Sequence, residues 1–212
     1  MPVVTDRMSR KRLATRQSIS DAATRLFNQR GFDNVTVNDI ADAADVGRKT
    51  VFNHFARKED MFFDLDETAR EDMCAALEER EDAIKPLEAL RLFAHRIVAE
   101  QRPYIRFFDG SVKFMDTIAA SETLKARARA IRDEVTAAVG AALAQAVGRN
   151  DDDADAELAA TLLVAGWALA FVRAHQIYRT RADEAAAQRA FLDVVDRGAI
   201  GLRAALAHTP YA

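Results

Sequence analysis

Apolar residues recur along this chain at intervals of three and four, the period of an α-helix rather than of a strand. Ile19, Ala22, Ala23, Leu26 and Phe27 make the first such stripe. Gly31, with Phe32 behind it, has the layout of a C-terminal glycine cap and its apolar follower. Thr36-Val37-Asn38-Asp39 fits the Ser/Thr-x-x-Asp/Glu pattern of a capping box, and Val35 and Ile40 occupy the hydrophobic-staple positions around it. A short second helix with Ile40, Ala41 and Ala44 on its inner side breaks at Asp45-Val46-Gly47. A third, over 48–55, buries Val51 and Phe55 and turns Arg48, Lys49, Thr50, Asn53 and His54 outward.

Beyond residue 57 the helices lengthen. The pattern predicts one long helix over 58–81, then helices over 86–101, 112–120, 123–147, 155–178 and 183–206. A short segment over 103–108 and a break at Asp109-Gly110 interrupt the series. The fold class is all-α: an N-terminal three-helix domain, 1–57, joined to a six-helix domain, 58–212. The stretch 158–172 is apolar around most of a helix, which calls for cover on every side. With the equally broad apolar surface of the last helix, it predicts a homodimer built as a four-helix bundle. The residues expected there are Leu162, Leu163 and Leu169, then Phe191, Val194, Val195 and Leu202. A monomer whose core lies between these two helices is the alternative. At ~1.5 Å per residue the apolar run covers roughly 22 Å, short of a ~30 Å bilayer core, so no membrane span is expected.

Composition adds a class. The 212 residues hold 50% hydrophobic side chains, enough for a sizeable core, and only 8 Gly and 4 Pro. The single cysteine, Cys74, excludes a disulfide scaffold and a thiolate-rich metal site. With no apolar leader at the N-terminus, a cytoplasmic protein is expected. The net charge is −3, from 30 Lys+Arg and 33 Asp+Glu. That total conceals a division: residues 1–60 hold 11 basic and 8 acidic side chains, or +3, and residues 61–212 hold 19 and 25, or −6. The first 20 residues carry five basic side chains, among them Arg10, Lys11 and Arg12, against one acidic.

Two short helices joined by Asp45-Val46-Gly47, the second with a polar outer side, fit a helix-turn-helix. Asp45 tolerates the positive φ such a turn needs, and Gly47 is an acceptable N-cap. Lys, Thr, Asn and His are side chains that donate to phosphates or to base edges. The run from Thr36 through Asp45-Val46-Gly47-Arg48-Lys49-Thr50-Val51-Phe52-Asn53-His54-Phe55 to Met61, preceded by Leu26-Phe27 and Gly31-Phe32, closely resembles the DNA-binding signature of TetR/AcrR-type transcriptional regulators. Three positions depart from it: Asp45 where the family prefers Gly, Gly47 where it prefers Ser, and Phe52 where Tyr is common.

The resemblance implies a ligand-responsive regulator, in the main a repressor, that binds a palindromic double-stranded operator as a homodimer and is released by a small apolar effector. It implies phosphate contacts by the Thr36 hydroxyl and the Val37 N–H, and base or phosphate contacts by Arg48, Lys49, Thr50, Asn53 and His54. A phosphate clamp at Lys58 and a basic arm over 7–16 complete the set. Phe52, lacking the hydroxyl, is expected to pack. For the effector, the aromatic-rich middle offers Phe93, Phe107, Phe108, Phe114 and Met115, then Trp167 and Phe171, with His175, His95 or Arg106 as polar anchors. A fatty-acyl, aromatic or drug-like molecule would suit them, and ordinary core packing is the other reading. No enzyme motif, cofactor signature or metal-ligand spacing is present in the sequence. In a different class stands an all-α binding or adaptor module whose first helices only resemble the motif. If Lys58 clamps a phosphate, Lys58→Ala should weaken binding to every sequence and lower the salt slope by about one.

Overall fold

A computed structural model of the chain describes residues 7–212, and among these there are helices and no strands. In chain order the helices are α1 Arg7–Arg30, α2 Val37–Ala43, α3 Arg48–His54, α4 Lys58–Phe62, α5 Asp66–Glu78 and α6 Pro86–Ala99. A 3-10 turn, Pro103–Ile105, leads to α7 Asp109–Ala120, α8 Glu122–Ala146, α9 Ala154–Arg181 and α10 Glu184–Ala205. They gather into two compact units. The first holds the described residues up to Asp64 together with Thr117–Arg127; the second holds Leu65–Asp116 and Ala128–Ala212.

The first unit reaches past residue 57, where the sequence pattern divides the chain, because its core draws on side chains from α4 and α8. Ile19, Phe27, Phe32, Ile40, Val51 and Phe55 pack with Met61 of α4 and with Leu124 at the start of α8. Ser121 donates to Asp33 at 3.2 Å, and Arg127 pairs with Asp60 at 2.9 Å, fixing that start in the same unit. The single helix expected over 58–81 is two helices. The chain turns at Phe63, and the turn seats Phe62 edge-on to Phe32, 5.7 Å between centroids. The Asp64 carboxylate accepts a hydrogen bond from the Ser20 hydroxyl of α1, and burial pushes that carboxyl up from its ordinary value.

Backbone punctuation follows the residue types. Gly31 ends α1 at φ +78°, its N–H donating to the Phe27 carbonyl at 2.9 Å. Thr36 caps α2 in a reciprocal box: its hydroxyl accepts from the Asp39 N–H, and the Asp39 carboxylate accepts from the Thr36 N–H. Asp45 takes the left-handed conformation of the turn at φ +53°, which its short polar side chain tolerates at a cost glycine would not bear.

The second unit is centred on α6, α9 and α10, the last two forming a hairpin across Ala182-Asp183. Four of the aromatic residues proposed from sequence as an effector site, Phe93, Phe107, Trp167 and Phe171, meet here in one packed cluster. Phe93 stacks on Trp167 at 6.2 Å, and Phe107 lies 5.0 Å from the His175 ring and 6.0 Å from Phe171. Phe108 is exposed, and Phe114 and Met115 are half-buried on α7. Two of the three expected polar anchors are engaged elsewhere: His95 pairs with Asp196 at 2.9 Å and Arg106 with Glu184 at 3.2 Å. His175 is 3% exposed; its Nδ1 lies 2.9 Å from the Phe171 carbonyl, and its Nε2 is buried without a hydrogen-bond partner. α7 begins at Asp109, where a break was expected, because Ser111 bonds back to the Phe108 backbone and starts the helix early.

The residues named as a dimer surface divide. Leu163, Phe191, Val195 and Leu202 are buried in the core of their own unit, and Val194 is half-buried. Leu162 and Leu169 point outward with Leu158, Val172 and Ile200, the last 60% exposed. By length and composition α9, at 28 residues, is long and apolar enough to cross a membrane; the shorter run read from sequence omitted its ends.

Asp45→Gly is expected to stabilise the protein by about 0.5–1 kcal/mol in urea unfolding, since glycine adopts the turn conformation without the Cβ penalty; destabilisation would show that the Asp45 side chain holds the turn. Burial lowers the His175 pKa below its ordinary value. The unfolded imidazole therefore protonates first as pH falls, so the stability this group contributes is complete above about pH 6.5 and lost through the depressed folded value. The stability advantage of the wild type over His175→Phe should shrink between pH 7.5 and pH 5.5.

Candidate nucleic-acid interface

α3 is seven residues long, and its position is set by what it buries. Val51 is fully buried and Phe55, at its C-cap, nearly so. On the other side Arg48, Lys49, Phe52 and Asn53 are exposed, while Thr50 and His54 are half-buried. The outward surface is therefore rotated from the expected one: Lys49 and Asn53 form its centre, Arg48 and Phe52 one flank. Phe52, expected to pack inward, is 42% exposed, with the Arg48 guanidinium 5.4 Å from its ring centroid.

Arg16 fixes the far end of α3. Its Nη1 donates to the His54 carbonyl at 2.7 Å, and its guanidinium lies 4.2 Å from the Phe55 ring. A cation at a helix C-terminus satisfies the last carbonyls and the dipole together. In the sequence Arg16 reads as one more arm residue without this role; a cation in the helix that packs across the motif was the only available signal. Burial, then the nearby charges of Arg12 and Arg16, lower the His54 pKa, so its imidazole is neutral at pH 7 and offers a hydrogen bond rather than a charge.

Three expected contacts need correction. Arg10, Lys11 and Arg12 lie within α1, which begins at Arg7, so residues 7–16 are a basic helical end rather than an extended arm. The Thr36 hydroxyl bonds the Asp39 carboxylate at 2.5 Å, and its proton is engaged there. Val37 is the first residue of α2, where an N–H has no intrahelical acceptor. Lys58 turns inward: its Nζ donates to the carbonyls of Phe32 at 2.9 Å and Val35 at 3.0 Å, and sits 4.0 Å from the Phe32 ring centroid. The loop between α1 and α2 brings those carbonyls together, and a lysine ammonium with three donors satisfies both.

A short helix set across its neighbour by a tight turn, cationic and polar on its open side, has the geometry of a helix-turn-helix. Residues 19–65 match the family model described as bacterial regulatory proteins, tetR family. The match takes in this domain and leaves the remainder of the chain unmatched. A Mycobacterium tuberculosis regulator named for mycofactocin biosynthesis, MftR, is 46% identical over 52 residues, which cover 24% of this chain and 26% of that protein. The regulator TcmR of Streptomyces glaucescens is 37% identical over 81 residues, 38% of this chain and 36% of that one. The chain thus spans about a quarter to a third of the length of these relatives. Over most of the chain the likeness to solved structures is one of fold alone. A complex of SmeT with triclosan superposes with a TM-score of 0.56 at 20% identity, over 89% of this chain and 91% of that one.

The inward turn of Lys58 reverses the expectation drawn from the family pattern. Lys58→Ala should lower the stability of the protein by about 1–3 kcal/mol, leaving two loop carbonyls without this donor, and should leave the salt slope of DNA binding unchanged. Lys49→Ala should lower that slope by about one without loss of stability. Salt titrations by fluorescence anisotropy, paired with urea unfolding, separate the two; a slope reduced by Lys58→Ala in a stably folded protein would restore the clamp.

Proposed function

We propose that this chain is a ligand-responsive transcriptional regulator, acting as a repressor that binds a palindromic operator as a homodimer. The observation that carries the reading is the outward side of α3, where Arg48, Lys49 and Asn53 stand exposed opposite a helix side buried at Val51 and Phe55. An exposed Lys-Asn pair one turn apart, beside an arginine, offers donors to guanine and adenine edges and to the phosphates around them. The basic start of α1 adds charge to the same unit, and the excess acid of residues 61–212 disfavours non-specific contact by the remainder of the chain.

The exposed leucines of α9 support a second copy as the cover for that helix. Leu162 and Leu169 of α9, and Ile200 of α10, are large apolar side chains left open to water. Two-fold pairing sets two copies of α3 against half-sites about 34–36 Å apart or a multiple of it. For the effector, the supporting feature is the ring cluster around His175, whose buried Nε2 lacks a partner. A small aromatic or otherwise apolar molecule carrying one hydrogen-bonding group would satisfy that nitrogen. The triclosan held by the SmeT neighbour is of that general kind.

A duplex carrying the intergenic DNA upstream of this protein's own gene should shift in a gel in a salt-sensitive, Lys49-dependent way; absence of any such shift would contradict the reading and favour an adaptor module. Leu169→Asp is expected to convert a dimer to a monomer by light scattering and to weaken operator binding by about a hundredfold or more through lost bivalency. An unchanged mass would move the dimer surface away from α9.

A further inference from the structure

Phe52 is an apolar ring held in the open, 42% exposed on the otherwise polar outer side of α3. It does not contribute to the core, which takes Val51 and Phe55 from the same helix. It also has no hydroxyl to give to a phosphate. What it does have is a neighbour: one turn earlier, the Arg48 guanidinium lies 5.4 Å from the ring centroid. Contact with an aromatic face limits the freedom of the arginine and presents its planar fork outward. The pair thus offers a cationic fork and an apolar edge side by side, with Lys49 and Asn53 next around the helix.

In a major groove that combination has a specific complement. Guanine shows O6 and N7 acceptors to a guanidinium, and thymine is the base that projects an apolar group, its C5-methyl. We propose that Phe52 is a specificity-determining residue that contacts a thymine methyl beside a guanine engaged by Arg48, so that each half-site carries a thymine next to that guanine. The proposal rests on the DNA-binding reading above and adds a base preference to it. Double-stranded DNA is favoured over a protein partner as the cover for this ring because Arg48 and Lys49 border it, and a polyanion matches them.

The test uses the full chain and a duplex chosen by binding-site selection from a random library. Each thymine of the selected half-site is then replaced in turn by deoxyuridine, which removes only the C5-methyl. At one position per half-site the wild type should lose about fourfold in affinity, the value of one buried methyl-sized group. Phe52→Ala should bind the thymine duplex more weakly and be indifferent to that replacement. Phe52→Tyr, which keeps the ring, should retain the preference. Because the ring is exposed, thermal melting of both variants should match the wild type. Equal methyl penalties in the wild type and in Phe52→Ala, or no penalty at any thymine, would overturn the proposal while leaving DNA binding intact. Failure of the wild type to select any sequence or shift any duplex would instead overturn the DNA-binding reading and this proposal with it.

Discussion

A helix of seven residues is too short to hold itself together in water, so α3 exists because other parts of the first unit hold it. Val51 and Phe55 fasten one side to the core shared by α1, α2, α4 and the start of α8. Arg16 fastens the far end, accepted by the His54 carbonyl and laid on the Phe55 ring. Everything α3 presents outward takes its direction from these attachments. Lys58 works to the same end one loop away: by gathering the Phe32 and Val35 carbonyls it fixes the entry to α2, and α2 fixes the turn that sets α3. A cation that pattern alone would assign to DNA is therefore part of the scaffold.

Much of this was legible from residue types because local chemistry dictates it. Gly31, the Thr36–Asp39 box, the positive φ at Asp45 and the inward pair Val51 and Phe55 each follow from a rule spanning a few residues. What escaped depends on contacts between distant residues. Periodicity divides a helix into sides but does not show that two loop carbonyls 23 and 26 residues away require the Lys58 ammonium. Nor does it place Phe52, which flanks the buried side closely enough to pass for a core residue and stays outside while Val51 and Phe55 enter the core. The bend after Phe62 likewise reflects a tertiary demand, seating Phe62 on Phe32 and Asp64 on Ser20, where the local sequence would support an uninterrupted helix.

In the second unit, aromatic residues spaced along several helices were candidates for a ligand site, and four of them pack in one cluster, as Phe93 does on Trp167 and Phe107 on His175. Within that cluster His175 differs in kind from its neighbours: it has a buried nitrogen that nothing in its surroundings satisfies. The apolar breadth of 158–172 divides in two. One side of α9 enters its own core through Leu163 and Val164, and the other, with Leu162 and Leu169, stays open. The apolar breadth of α9 is thus divided between a packed core and an exposed surface.

The central claim is that the outer side of α3 meets DNA while Lys58 serves the fold. Lysine acetylation followed by mass spectrometry, with and without a saturating bound duplex, reads both halves at once. The account predicts that Lys49 reacts readily in the free protein and is strongly protected in the complex, and that Lys58 reacts slowly in both. Equal reactivity of Lys49 with and without the duplex, or a fast-reacting Lys58 that becomes protected only on binding, would contradict it.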